Sequence, residues 1–229
     1  MSKLAKIYRS VNPINNTLVN EFACLTDQEV DAKLERAWKA FKRNKSDKNN
    51  SNYARLAIVK DLLEKRVNEY ASLMTLEMGK PLAQAEGEVL KCAGHIGYML
   101  EHAQGHAADT VLDVKTGPWR AFVEHAPIGP VLDIVPWNFP FWMPFKSMTA
   151  PLLLGCPILL KHAPSTPMCA AALQKLFDDA GFDGEFTNLY VTNEQAARIL
   201  ADKRVRGVKF TGSTQGGKAV AAQAGACMK

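Results

Sequence analysis

From Gly129 onward the chain repeats one pattern: a short apolar run, then a stretch of helical length. The runs cover residues 131–135, 158–160, 187–191 and 207–210. A strand buried on both faces reads as an unbroken apolar run, and parallel neighbours need a crossover long enough to hold a helix. The repeat therefore predicts an α/β fold built on a doubly wound parallel sheet with helices on both faces. Ligands bind such sheets beyond the carboxyl ends of the strands. The residues that close each apolar run are thus the ones most exposed to selection for chemistry.

The first half of the chain has a different grammar. Residues 7–11 and 18–22 read as two short strands around the turn residues Asn12, Pro13, Asn15 and Asn16. Thr26 and Glu29 form a capping box, in which the hydroxyl satisfies an orphan helix amide and the carboxylate reaches back to the cap. Val30, Leu34, Ala37, Trp38 and Phe41 follow at helical spacing. A polar stretch at 45–52 precedes a second helix expected over residues 53–78, which Gly79 and Pro81 end. A third helix is expected over 82–107. Residues 111–114 and 119–124 are β-prone and joined by Lys115, Thr116, Gly117 and Pro118, which predicts a protruding hairpin. The expected organisation is strands and a helical layer over 1–108, the hairpin over 109–127, and a Rossmann-like dinucleotide-binding segment over 128–229.

Composition narrows the function classes. At 229 residues and 47% hydrophobic content the chain can bury one sizeable core. The net charge of +5 is scattered, with one denser run through Lys33, Arg36, Lys39, Lys42, Arg43, Lys45 and Lys48. That run lacks interleaved aromatic residues and reads as a solvated helix face, so no nucleic-acid role is expected. The most apolar stretch, 148–160, is interrupted by Pro151, Gly155 and Pro157 and is too short to span a bilayer. Lys3, Lys6 and Arg9 are followed by no apolar signal core. Five cysteines, Cys24, Cys92, Cys156, Cys169 and Cys227, form no Cys-x-x-Cys pair and fit a reducing compartment.

Three strand ends carry candidate chemistry. Phe210 is followed by Thr211, Gly212, Ser213, Thr214, Gln215, Gly216, Gly217, Lys218 and Ala219, a strand-to-helix turn whose amides and helix N-terminus suit a pyrophosphate. The spacing from Gly212 to Lys218 also matches a Walker A loop, but Ala219 stands where a magnesium-ligating hydroxyl belongs. Lys161 closes the second apolar run; a surface lysine would look the same. Asn138 lies between Pro136 and Pro140, which suits either a turn cap or a fixed side-chain donor. Among the cysteines, Cys156 reads as inert core. Cys169 falls in the first turns of a helix, where the dipole can lower a thiol pKa, yet no base accompanies it and a structural role is expected. His95, His102 and His106 lie on one helix face, and a polar face is preferred to a zinc site, so no metal is expected. His125 and His162 join no constellation visible in sequence.

Pro136-Trp137-Asn138-Phe139-Pro140, Lys161 and the Gly212, Ser213, Thr214, Gly217 motif, in this order and strand context, resemble the aldehyde dehydrogenase superfamily. The resemblance implies that Asn138 donates a hydrogen bond to the oxyanion formed when a cysteine thiolate attacks an aldehyde. It implies a bound NAD or NADP, with Lys161 on the adenine ribose, Ser213 on the pyrophosphate, and Pro136, Trp137, Pro164, Gly212 and Gly217 lining the site. Lys161-His162-Ala163-Pro164 departs from family versions that carry a Glu or Ser near Pro164, which leaves the choice of NAD or NADP open. That segment and Ala221-Ala222-Gln223-Ala224-Gly225 are similar to the succinate-semialdehyde branch, and Glu77-Met78-Gly79-Lys80-Pro81 also resembles a family signature. Val11-Asn12-Pro13 resembles the family's opening motif and implies little presequence, hence a cytoplasmic location. The hairpin implies a homo-oligomer or association with a full-length relative. The family's nucleophilic Cys and Glu base are expected outside these 229 residues, so the stretch alone is expected not to oxidise aldehydes. The rival expectation is a noncatalytic dinucleotide-binding or assembly module.

Overall fold

The computed structural model describes residues 6–46 and 51–229; Lys3 and Lys48 lie outside the described residues. β1 (Ile7–Val11) and β2 (Leu18–Ala23) form an antiparallel pair. Four helices follow: α1 (Asp27–Ser46), α2 (Asn52–Lys65), α3 (Val67–Met78) and α4 (Leu82–His106). β3 (Thr110–Leu112) and β4 (Ala121–Val123) make the hairpin. Then strands and helices alternate: β5 (Val131–Ile134), α5 (Trp142–Leu153), β6 (Ile158–Lys161), α6 (Pro167–Asp179), β7 (Phe186–Asn188), α7 (Asn193–Ala201), β8 (Gly207–Phe210) and α8 (Thr214–Ala226).

The four strands of the main sheet run parallel in the order β7-β6-β5-β8. Successive strand side chains point to opposite faces, and the two cores follow that rule. Val131, Ile158, Leu160 and Phe186 join a core shared with α2 to α6, whereas Leu132 and Leu159 join a second core with α1, α7 and α8. The sheet is therefore covered on both sides, as the mainly apolar runs predict.

Several boundaries differ from the sequence expectation. The helix expected over 53–78 is two helices, broken at Arg66, whose φ of −110° and ψ of 23° are not helical. Apolar spacing cannot reveal such a break. At that point the Arg66 guanidinium turns to Asp179 of α6 at 2.5 Å, tying the joint to the sheet layer. The strand expected over 187–191 spans Phe186–Asn188. Leu189 still donates its amide to Leu160 at 2.8 Å, and the chain then leaves the sheet toward the capping box of α7. The hairpin strands are shorter than expected and leave Val111, Leu112, Trp119 and Phe122 exposed. The Thr26 capping box forms, as does the left-handed cap at Gly79 with φ 74°.

One feature of the packing bears directly on the site. Helices α5 and α6 both begin without a side-chain cap of their own. Their orphan amides are satisfied by carboxylates from the helical layer instead. Glu77 of α3 accepts from the amides of Met168 and Cys169 at 2.7 and 2.8 Å. Glu88 of α4 accepts from those of Phe141 and Trp142 at 2.9 Å each.

Candidate cofactor and active site

The register aligns three strand ends in one row. Ile134 of β5 pairs with Lys161 of β6 on one side and with Phe210 of β8 on the other. Neighbouring strands lie about 5 Å apart, so the Asn138, Lys161 and Gly212 segments leave the sheet side by side. The strand order reverses at β5, which places the crevice of a doubly wound sheet at this row.

A groove of about 360 Å³ opens there between α7 and α8. Ile134, Lys161 and Phe210 form its floor, and the short side chains of Ala196, Ala197, Gly216 and Ala219 leave room between the helices. Lys161 is only 6% exposed, and its ammonium has no hydrogen-bond partner among the described residues. Burial pulls its pKa below the usual lysine range, with the Cys24 thiol opposing weakly. An ammonium without a protein partner, at the end of a buried side chain and open to a groove, invites an acceptor-rich ligand. Lys161 also walls a second groove of about 230 Å³ that includes Lys6, Pro164 and Glu194.

The glycine turn after β8 is shaped around the Phe210 ring. A Cβ on Gly212 would sit 2.7 Å from the ring and one on Gly216 2.8 Å away, whereas Gly217 has ordinary clearance at 3.5 Å. The loop thus hugs the ring and brings backbone amides to the groove rim. Ser213 is the N-cap of α8, accepting from the Gly216 amide at 3.1 Å. Acting as acceptor there leaves its own hydroxyl proton free to donate. Ala219 lines the groove with a methyl group, which supplies no metal ligand.

Asn138 is exposed in the loop after β5, and its side-chain amide has no partner among the described residues. The loop itself is tightly held. Lys80 reaches the Asn138 carbonyl at 3.3 Å, lies 3.8 Å from the centre of the Phe139 ring, and forms a buried ion pair with Glu88. On the other side, the Val135 amide donates to the Lys161 carbonyl at 3.2 Å. The His162 ring lies 2.9 Å from the Pro140 carbonyl through Nε2.

The sequence nominates Pro136, Trp137, Asn138, Lys161, Pro164, Gly212, Ser213 and Gly217, and the structure brings their segments to one end of the sheet. The motifs assign no holding role to the residues that fix those segments in place. Glu88 sits on the same face of α4 as Ala85, Val89 and Cys92, all buried. An acid on an apolar helix face must find partners, and that was the available signal; Glu77 beside Tyr70 and Met74 on α3 carries the same one. His162 gave no such signal, because its partners come from loops.

The expectations for cysteines and histidines can also be placed. Cys156 and Cys169 are buried. Burial, with Glu77 beside it, pushes the Cys169 thiol well above its ordinary value, opposite to activation. His102 stacks on Tyr98 and His106, while His95 meets the edge of Trp142. No group of metal-ligating side chains is found among the described residues. The basic face of α1 is partly neutralised by Arg36 on Asp183 and Arg43 on Glu185. No helix among the described residues is long and apolar enough to cross a membrane.

The profile of the aldehyde dehydrogenase family matches residues 1–229. The chain belongs to the aldehyde dehydrogenase family. It is 37% identical over 223 residues to a probable succinate-semialdehyde dehydrogenase (NADP(+)) of Synechocystis, covering 96% of this chain and 48% of that protein. It is 38% identical over 222 residues to succinate-semialdehyde dehydrogenase (NADP(+)) 1 of Mycobacterium bovis, covering 94% and 48%. Among solved structures, succinic semialdehyde dehydrogenase of Streptococcus pyogenes in complex with NADP+ superposes with a TM-score of 0.94 at 33% identity. That match covers 97% of this chain and 49% of the other, and Gox0499 matches with the same TM-score at 36% identity. The chain spans about half the length of the curated relatives it matches. The two solved structures share the fold described here over about half of their own length.

Proposed function

We propose that this chain supplies the cofactor-binding half of an NADP-dependent succinate-semialdehyde dehydrogenase. One observation carries the reading: three separate segments converge on a single row of strand ends, around a groove floored by a buried, unpartnered lysine. Lys161 holds hydroxyls of the adenine ribose. The Ser213 hydroxyl and the first amides of α8 hold the pyrophosphate, where the positive end of the helix favours negative charge. The apolar gap between α7 and α8 takes the adenine. NADP, when bound, supplies the hydride acceptor.

One feature supports NADP over NAD: Pro164 presents no carboxylate beside Lys161 to repel a ribose 2′-phosphate, and Glu194, which also lines that groove, is paired with Lys6 at 3.3 Å. Asn138, fixed between Pro136 and Pro140, aims a neutral donor at the oxyanion that forms as a thiolate adds to the aldehyde carbonyl. In the whole enzyme, loss of one such donor costs about a hundredfold to a thousandfold in rate. The exposed strands and Trp119 of the hairpin support association with a second copy or a full-length relative, since an unpaired apolar edge favours pairing. A cytoplasmic location fits the free thiols.

The test is calorimetric titration of the 229-residue chain with NADP+. Saturable binding with one site per chain is expected, weakened roughly tenfold to a hundredfold by Lys161→Met, the range for a charge-assisted hydrogen bond. Binding that ignores the Lys161 substitution would overturn the assignment.

A further inference from the structure

The loop carrying Asn138 is held at both ends by two consecutive residues of the β6 terminus. At its start, the Val135 amide donates to the Lys161 carbonyl at 3.2 Å; at its end, the Pro140 carbonyl lies 2.9 Å from Nε2 of His162. His162 is 1% exposed and its ring is fully committed. Nδ1 accepts from the Ala163 amide at 2.9 Å and lies 2.8 Å from the Thr166 hydroxyl. An amide can only donate, so Nδ1 carries the lone pair, and the ring proton sits on Nε2, where it donates to Pro140. Burial pushes the His162 pKa down to about 4, which keeps this neutral tautomer at ordinary pH.

We propose that His162 is a positioning residue that links the cofactor lysine beside it to the loop that aims Asn138. The inference rests on the roles given above to Lys161 and Asn138. Its logic is geometric. Among the described residues Lys161 is the lysine that lines the groove, and the next residue in the chain is His162. Any shift of the β6 terminus as Lys161 engages a ligand is passed to Val135 and Pro140 through those two bonds. Asn138 lies between them, with its own amide unengaged. Thr166 shows the same investment: it precedes α6 but does not cap it, because its hydroxyl serves the ring, and Glu77 caps the helix instead.

Two substitutions separate the halves of the ring's work. His162→Asn can keep an acceptor near the Nδ1 position but is too short to reach Pro140. His162→Gln can place an amide donor near the Nε2 position. The readout is the side-chain amide resonance pair of Asn138 in the 15N-labelled 229-residue chain, without ligand and then titrated with NADP+. In the free protein, His162→Asn is expected to shift and narrow the Asn138 signals toward those of a freely rotating amide, and His162→Gln to restore them. On titration, the native protein is expected to move the Asn138 pair with the same midpoint as the calorimetric binding curve. The His162→Asn protein is expected to bind within about threefold of the native affinity while its Asn138 pair stays still.

Native Asn138 signals in the free His162→Asn protein would overturn the positioning role. Asn138 signals that track thermal stability alone, with Gln no better than Asn at equal melting temperature, would overturn it too. NADP+ binding by the native chain that leaves Asn138 unmoved would overturn the link to Lys161. A native chain that binds no NADP+ would sink the cofactor reading and the link with it, while the ligand-free comparison still decides whether His162 positions the loop.

Discussion

The buried pair of Lys80 and Glu88 offers the sharpest energetic test of how the Asn138 loop is held. Both side chains are under a tenth exposed, and each has further partners: the Phe141 and Trp142 amides for Glu88, the Asn138 carbonyl and the Phe139 ring for Lys80. Removing one member of a buried pair costs about 3–5 kcal/mol, mostly because the other charge is left without compensation. Glu88→Gln keeps an oxygen for the helix amides but strips the anion from Lys80, so a loss of about 3 kcal/mol is expected, at the low end because Lys80 can edge toward solvent. Lys80→Met leaves a carboxylate still bonded to two amides at a positive helix end, and about 2 kcal/mol is expected. The double variant buries no net charge. It should cost well under the sum, with a coupling of about 2–3 kcal/mol.

Urea unfolding at pH 7, with the slope checked for constancy across the variants, measures all three. For a chain of this size the Glu88→Gln loss corresponds to a fall in Tm of about 6–12 °C. The same samples report the loop: Trp137 is about half exposed and sits next to Asn138, so its fluorescence should shift in Lys80→Met and less in Glu88→Gln. Additive single losses would refute the argument, because they would mean that the two charges are separately solvated and not compensating one another.

Other consequences follow from the same geometry. Asp133 lies in the central strand, buried, accepting from Ser147; desolvation raises its pKa to about 7 against the pull of Lys209. A carboxyl whose folded pKa is raised makes folding favour the protonated form, so stability should fall as pH rises from about 4 to about 7, by about 2–4 kcal/mol. Asp133→Asn should flatten that slope in urea midpoints measured at pH 5 and 8, and an unchanged slope would dismiss the assignment. Gly212→Ala should push the Phe210 ring into the groove and weaken NADP+ binding about tenfold or more, while Gly217→Ala, with clearance at 3.5 Å, should change it by less than about threefold. Thiol titration of the native protein with an aromatic disulfide should find Cys24 and Cys227 reactive and Cys92, Cys156 and Cys169 silent until unfolding; a fast-reacting Cys169 would contradict its buried place beside Glu77.

The parts of the fold that were legible are those governed by local pattern. The parallel strands announced themselves because a twice-covered strand is mainly apolar, and the three strand-end motifs because each is a short continuous stretch of sequence. The break at Arg66 was hidden, since α2 and α3 keep apolar spacing across it and the partner met there, Asp179, lies far along the chain. The end of β7 was hidden for a similar reason: Leu189 and Val191 are buried and apolar whether or not they lie in the sheet, because they pack on the second core. His162 was the largest omission at the site. Its partners are a proline carbonyl, an amide and a threonine hydroxyl, groups that no spacing rule connects.

The two borrowed caps explain why Lys80 is present at all. Glu77 and Glu88 perform the same task, each lending a carboxylate from the helical layer to two amides at the start of a sheet-layer helix. Glu77 does so with no cation paired to it among the described residues, so the amides and the helix end suffice to hold a buried carboxylate there. By that comparison α5 does not need Lys80 to be capped. What distinguishes the Glu88 site is its nearness to the Asn138 loop, whose backbone carbonyl and Phe139 ring Lys80 also engages. Glu88 is thus better understood as the counterion that lets a lysine be buried under the loop than Lys80 as the counterion of a cap. The asymmetry can be measured. Glu77→Gln should cost only the weakening of a cap, about 1 kcal/mol, against about 3 kcal/mol for Glu88→Gln, and it should leave Trp137 fluorescence unchanged. Equal costs at the two positions would mean that Lys80 does not depend on Glu88 as its counterion, and would refute this reading.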